Sequence, residues 1–446
     1  MEFLERMTNY AVEAANIDKS LFDEYNVKRG LRNADFSGVL VGLTRIGDVV
    51  GYEKVDGKIV PKDGELYYRG IEISDLVHGF QKDGRHGFEE TAYLLLSGKL
   101  PNETDLEKFT ENLAIERDLP PFFSKNMILA LRGRNIMNML ARSVLALYSA
   151  DDDAENYSSI NLMRQSISLI SKFPVIVAYS YFGMRHSYQH RSLVIRHPKP
   201  ELSLAENFLY MMKGDNYTKL EADLLDLSLV IHAEHGGGNN STFTTRVVSS
   251  AQTDTYAAIS AALGSLKGDF HGGANLKVVD MMENIKENVK NWTDEQEVTE
   301  YLLKMLKKEV FDRTGKIYGI GHAIYTKSDP RAVLLKEKAR DLAIEKGRLD
   351  EFNLYALVEQ LAPQVFEAYK KDSGKVISAN VDFYSGFVYQ CLQIPEEIYT
   401  PIFAIARVAG WAAHRIEEVT FTSKRIIRPA YKNIGKRFKY TPLVSR

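Results

Sequence analysis

Four histidines stand in glycine-rich breaks: His232 and His235 in IHAEHGGGNNSTFTT, His271 in GDFHGGANLKVVDMM, and His322 in GKIYGIGHAIYTKSDPRAV. Glycines let backbone approach a ligand closely, and an imidazole beside them can donate a hydrogen bond or move a proton. Asp382, in SANVDFYSGFVYQ, leads into an aromatic-rich run. A carboxylate in partly apolar surroundings rises in pKa and becomes a better base. Arg331, Arg407 and Arg428 add cations whose planar forks suit a carboxylate or phosphate. Acid/base chemistry on a small anionic substrate is what these residue types can do together.

Each of these residues also has a purely structural reading. His235 fits a tight interhelical turn, with Asn239, Asn240, Ser241 and Thr242 as further polar contacts. His271 fits a packing or capping position, and Asp382 a helix N-cap. Arg331 can pair with a surface acid, and Arg407 and Arg428 can be surface arginines. His232 and His235 have a His-x-x-His spacing that, with His271, would serve a zinc-dependent hydrolase. The HExxH signature and any accompanying cysteine are missing, and the H-x-E from His232 to Glu234 lacks the PCxxC of a zinc deaminase. No Gly-Lys-Ser/Thr follows the glycines, which leaves a phosphate P-loop little support.

The elements that must position these residues are helices. A helix beginning near Ala274 places its positive end beside His271, which favours a neutral imidazole. Asp329-Pro330 reads as an N-cap followed by proline at the first helical position, with Arg331 in the first turn. FEETAYLLLSG ends at Gly98 with Pro101 beyond. Ser203 with Glu206, and Thr293 with Gln296, read as capping boxes. The exception to helix is Gly38 to Gly70, where β-prone runs flank Asp56-Gly57, a favoured hairpin turn pair. From about Lys286 to Lys371 the chain is rich in Lys and Glu and reads as amphipathic helices of a smaller domain.

At 446 residues the chain exceeds what one core usually serves. A net charge of -2 supplies no electropositive field for nucleic acid. The single cysteine, Cys391, excludes an internal disulfide or a cysteine metal cluster and fits a reducing compartment. The opening MEFLERMTNYAVEAANIDKS reads as an ordinary helix with no leader, and no run of about 18 apolar residues predicts a membrane span. A cytoplasmic enzyme without membrane or nucleic-acid partners is expected. RHSYQHRSLVIRHPK, Arg185 to Lys199, is either a phosphate or effector site or a solvated basic loop.

In this order, HAEHGGGNNSTF, LKGDFHGGAN, GIGHAIYTKSDPRA, ANVDFYSG, IARVAGWAAH and IIRPAYKNIG closely resemble the citrate synthase family, and ELYYRGIEISDLV and FEETAYLLLSGKLPN extend the match over nearly the whole chain beyond its first thirty or so residues. The resemblance implies an all-α, two-domain fold with a small β excursion near the N-terminus. Its large domain would comprise 1–273 and 387–446, and its small domain, 274–386, would close over the active site. It implies a homodimer that condenses acetyl-CoA, a co-substrate, with oxaloacetate and water, with no tightly bound cofactor and no metal.

By the same resemblance Asp382 takes a methyl proton, His271 hydrogen bonds the thioester oxygen as it becomes an enol, and His322 polarises the ketone. His235, Arg331, Arg407 and Arg428 hold oxaloacetate, Arg428 reaching in from the other subunit. KIYGIG meets the adenine side of coenzyme A. Two positions depart from the family pattern: Thr326 stands where many relatives carry Arg or Lys, with Lys327 the neighbouring cation, and Asp269-Phe270 precedes His271 where Gly-Pro is common. The nearest alternative is a 2-methylcitrate synthase acting on propionyl-CoA.

Overall fold

The computed structural model describes residues 1–33, 37–56, 58–370 and 376–446. Helices dominate, as expected, and the β excursion is a three-stranded antiparallel sheet in the order β1 (Gly47–Val55), β2 (Lys58–Tyr68), β3 (Ile71–Glu72). Val55 pairs with Lys58, which leaves Asp56 and Gly57 as the connection. Asp56 has φ +50°, the left-handed conformation of such turns, and Gly57 lies outside the described residues. The register slips between Val50 and Tyr52, and Gly51 at that slip is pressed against the backbone of Ile324 and Tyr325. The hairpin thereby leans on the loop after His322.

The long helix Ser159–Gln189 runs through the core, buried along most of its length, and packs against Tyr399–Thr420. It is the one helix among the described residues long and apolar enough to cross a bilayer, and 94% of that window is covered by the rest of the protein. Internal burial of this kind is what a core helix needs. Ala274–Asn288 and Pro330–Glu345 both pack on Val381–Cys391, and Glu295–Leu306 packs on Leu349–Tyr369. Pro330–Glu345 also reaches Lys219–His232 and Ile73–Lys82, which joins this group of helices to the rest.

Local signals behave as their chemistry demands. Gly98 closes Phe88–Ser97 at φ +79°, its N–H returning to the Leu94 carbonyl. Ser203 and Glu206 form a full capping box on Leu204–Lys213. The Thr293/Gln296 expectation is corrected: Asp294 caps Glu295–Leu306, accepting from the N–H groups of Gln296 and Glu297, while Thr293 donates to Asn291. A carboxylate one residue later is the stronger acceptor for two backbone donors. Lys371, the expected end of the Lys/Glu-rich stretch, lies outside the described residues.

Candidate active site

His232 is the last residue of Lys219–His232 rather than part of the glycine break, and its Nδ1 lies 2.7 Å from the Ser228 carbonyl. The break proper starts at Ala233 and turns at Gly236, φ +78°, before Asn240–Ser250 begins. Tyr399–Thr420 lies across it, with one stripe facing the loop at i, i+3, i+4 and i+7. Arg407 Nε donates to the His232 carbonyl at 2.7 Å. Gly410 abuts the Ala233 carbonyl so closely that a side chain would collide with it. Trp411 Nε1 donates to Ser241 Oγ at 3.1 Å, and His414 Nε2 stands 2.9 Å from Glu234 Oε1. The stripe grips the loop at four successive points.

His271 is half-buried, its Nε2 3.0 Å from Ser241 Oγ. Trp411 can only donate, so the Ser241 proton is left for Asn239 Oδ1, at 2.9 Å, or for His271 Nε2. When it goes to Nε2, His271 carries its own proton on Nδ1 and presents it as a donor. Burial, then the charge of Arg407, pushes the imidazole down to about 4. A neutral ring follows, but burial is the leading cause where the helix beginning at Ala274 had been expected to supply it. Phe270, beside it, is fully exposed.

The segment before His322 bridges antiparallel to the segment before Asp382, Ile320 opposite Ala379. Gly321 N donates to Ser378 O at 2.7 Å and Asn380 N to Gly319 O at 2.9 Å. Gly319 and Gly321, φ +75° and +97°, make this pairing possible; a side chain at Gly319 would meet Phe383 and Val278. Nδ1 of His322 accepts from the N–H groups of Ile324 and Tyr325, both at 3.1 Å. The ring proton must therefore sit on Nε2. Burial, then Arg331, lowers this imidazole to about 4, so His322 is a neutral donor of fixed tautomer.

Asp382 is not the N-cap; Asn380 is, accepting from Asp382 N at 3.0 Å. Asp382 is half-buried and its carboxylate takes no hydrogen bond among the described residues, and desolvation raises it to about 6. Arg331 pairs not with a surface acid but with buried Asp329, through Nε at 3.0 Å and Nη2 at 2.8 Å. Asp329 also accepts from the N–H groups of Arg331 and Val381, so one carboxylate ties together the starts of the helices bearing Arg331 and Asp382. Despite burial, Asp329 holds the Arg331 guanidinium above its ordinary value.

His235 and Arg407 are among the unsatisfied members. His235 Nε2 and both Nη groups of Arg407 are buried without a hydrogen-bond partner. The His235 ring lies 5.1 Å from that of His322, and Tyr325 stacks on His322 at 4.7 Å. Buried polar groups left open in a native fold call for a ligand. Arg428 is elsewhere: it is exposed in the stretch after Tyr399–Thr420, and the cations acting on the three ring histidines are Arg331, Arg407 and, at His322, Arg32.

One departure from the family pattern finds a structural role, and one alternative reading loses its footing. Thr326, which stands in place of the family's Arg or Lys, has its hydroxyl within reach of the carbonyls of Gly51 and Lys62, 2.5 and 3.0 Å away, and so anchors the His322 loop to the hairpin. The zinc reading lacks ligands, since no group of three His, Cys, Asp or Glu among the described residues can hold a metal ion. In the basic stretch, Arg196 donates to the Met211 carbonyl and Lys199 pairs with Asp215. Reading the sequence missed Glu234, His414 and Arg246, and gave Ser241 and Asp329 smaller parts. The spacing of Arg407, Gly410, Trp411 and His414 was the available signal for the helix stripe.

Residues 35–430 match the family model for the citrate synthase C-terminal domain. The chain belongs to the citrate synthase family. A citrate synthase of Acidithiobacillus ferridurans is 37% identical over 86% of this chain and 93% of its own. The 2-methylcitrate synthase of Shewanella oneidensis is 31% identical over 83% and 88%. Among solved structures, the ternary complex of the Thermoplasma acidophilum citrate synthase with carboxymethyl coenzyme A and oxaloacetate superposes with a TM-score of 0.76 at 27% identity, covering 94% of this chain and 99% of that one. Membership in this family makes the chain an acyl-transferring enzyme, and its all-α architecture is the family's.

Proposed function

We propose that this family member is a citrate synthase that condenses acetyl-CoA with oxaloacetate and water to give citrate and free coenzyme A. The observation that carries the reading is the set of unpaired buried groups, Arg407 Nη1 and Nη2 and His235 Nε2, beside a His322 held as an Nε2–H donor. A dicarboxylate with a reactive ketone needs fixed cations at its ends and a neutral donor at its carbonyl. Asp382 takes a proton from the acetyl methyl, and His271 hydrogen bonds the thioester oxygen as the enol forms. The enol carbon then bonds to the ketone carbon while the ketone oxygen, polarised by His322, takes up a proton. Water cleaves the citryl thioester, releasing citrate and the thiol.

Acetyl-CoA is a substrate in this scheme, and no resident cofactor enters it. Closure of residues 274–386 over the cleft would exclude the water that hydrolyses the thioester too early. The second border falls within Val381–Cys391, so that helix would serve both bodies. A homodimer fits the surface: Phe3, Leu4, Met7 and Tyr10 on Glu2–Ala14, and Tyr431, Phe438 and Tyr440 near the C-terminus, are all exposed on the single chain. Arg428, exposed on the same stretch, would complete the partner's site.

The test is thiol release from acetyl-CoA with oxaloacetate, run beside propionyl-CoA. A higher kcat/KM for acetyl-CoA supports the reading, and a clear preference for propionyl-CoA turns it to the 2-methylcitrate synthase of its relative. One methylene moves such discrimination by only about 1 to 3 kcal/mol, so both donors must be measured. For the shared site, mixing inactive Arg428→Ala and Asp382→Asn chains should restore about one quarter of wild-type activity, because half the dimers then hold one whole site of two. Two inactive chains that stay inactive after subunit exchange would place Arg428 outside the partner's site.

A further inference from the structure

We infer, on the footing of the oxaloacetate pocket proposed above, that Glu234, His414 and Arg246 form a positioning relay that compensates the charge of Arg407 without occupying its hydrogen-bond donors. Glu234 is fully buried and directly precedes His235. Its Oε1 accepts from His414 Nε2 at 2.9 Å and from Gly236 N at 2.5 Å, while Oε2 has no partner. Gly410 and Gly47 flank the carboxylate so tightly that a side chain at either would strike it. Bare backbone on two sides fixes the rotamer.

Behind Glu234 the chain of contacts runs outward. Arg246 Nε donates to His414 Nδ1 at 3.0 Å, so the imidazole proton is left on Nε2, aimed at Glu234. The remaining arms of Arg246 are held by Glu417 and by Glu418, the latter at 2.9 Å. Every member but Glu234 Oε2 is satisfied, and that oxygen sits against Gly410, one helical turn from Arg407 on the same helix.

The two pocket arginines solve the same problem differently. Arg331 is compensated by direct pairing with Asp329, which consumes two of its N–H groups. Arg407 bonds only the His232 carbonyl, and the strongest favourable charge acting on it is Glu234, with Tyr68, Arg331 and Asp382 also facing it. Burial already lowers Arg407 to about 10, and Glu234 opposes that fall. Burial would raise the Glu234 carboxyl in turn, but His414 and Arg407 hold it below its ordinary value. A through-space counter-charge keeps a buried guanidinium protonated while its fork stays open for a substrate carboxylate.

Full-length wild type, Glu234→Gln, His414→Ala and His414→Gln are compared by steady-state kinetics across pH, by calorimetric oxaloacetate binding and by melting temperature. Glu234→Gln keeps the acceptor for His414 but removes the charge. It should raise the KM for oxaloacetate about tenfold or more while kcat falls less, and move the alkaline limb of kcat/KM for oxaloacetate to lower pH. His414→Ala should shift both in the same direction by less, and His414→Gln, whose amide can accept from Arg246 and donate to Glu234, should recover most of that loss. A wild-type KM and alkaline limb in Glu234→Gln and His414→Ala overturn the relay, as does a loss that follows melting temperature alone and is not recovered by His414→Gln. Should Glu234→Gln fail to fold, the two His414 variants decide. A wild type that binds oxaloacetate but releases no thiol overturns the proposed reaction and leaves the relay to be judged on binding; one that does neither overturns both.

Discussion

The loop from His232 to Ser241, clamped by Tyr399–Thr420, and the paired segments carrying His322 and Asp382 are built on opposite plans. In the first, Glu234, His235, Arg407 and His414 are all buried, and their positions are set by a helix stripe. In the second, His322 and Asp382 are only half-buried at the ends of short paired segments, and their protonation is set by backbone N–H groups and desolvation. The first plan suits binding, because rigid buried charges lose little on meeting an anion. The second suits proton transfer, which needs access and a tuned pKa rather than fixed charge.

Removing the base should break this comparison most sharply. Asp382→Asn is expected to lower kcat by at least about 100-fold with the KM for oxaloacetate little changed, measured by thiol release. Near-normal turnover would take Asp382 out of the chemistry. His271→Ala should cost on the order of 3 kcal/mol of transition-state stabilisation, again mainly in kcat. An unchanged rate would make His271 a packing residue held by Ser241. On the binding side, Arg407→Lys keeps the charge and loses the fork, and should weaken kcat/KM for oxaloacetate by roughly 1.5 to 3 kcal/mol, chiefly through KM. An effect confined to kcat would erase the division between the two regions.

The smallest effect is a pH dependence whose sign separates the groups. Asp382 acts as the carboxylate, and its pKa is raised to about 6 by burial, so kcat/KM for acetyl-CoA should fall as pH drops through 6. His271 and His322, both lowered to about 4, stay neutral through that window. A limb near 4 would assign the titration to an imidazole instead. Stability responds in opposing directions: the depressed histidines withdraw stability as pH falls from their ordinary value of 6.5 toward 4, while the raised Asp382 returns some below about 6.

Much of the fold was legible because its signals are local. Gly98, the Ser203/Glu206 box and Asp329-Pro330 each complete backbone hydrogen bonds within a few residues, so their chemistry can be read from adjacent letters. Thr293 shows the limit: two neighbouring caps competed, and the carboxylate of Asp294 prevailed. Thr326 shows another, since its partners, the Gly51 and Lys62 carbonyls, lie more than 260 residues away in the chain. The Asp382 N-cap reading failed by two residues because the helix starts earlier, with Asn380 accepting from the N–H of Asp382 itself.

Chain order alone gives which groups this protein owns and in what sequence: four histidines at glycine breaks, a carboxylate before an aromatic run, and three arginines, an ordered set that resembles one family. The state of each group is a property of the folded molecule. Arg331 gives two of its guanidinium N–H groups to Asp329 while the Arg407 fork is open, His322 keeps its proton on Nε2, and Glu234 meets His414 across 180 residues of chain. The reason is that burial and electrostatic interaction depend on distance through space, which a chain order carries only after it has folded.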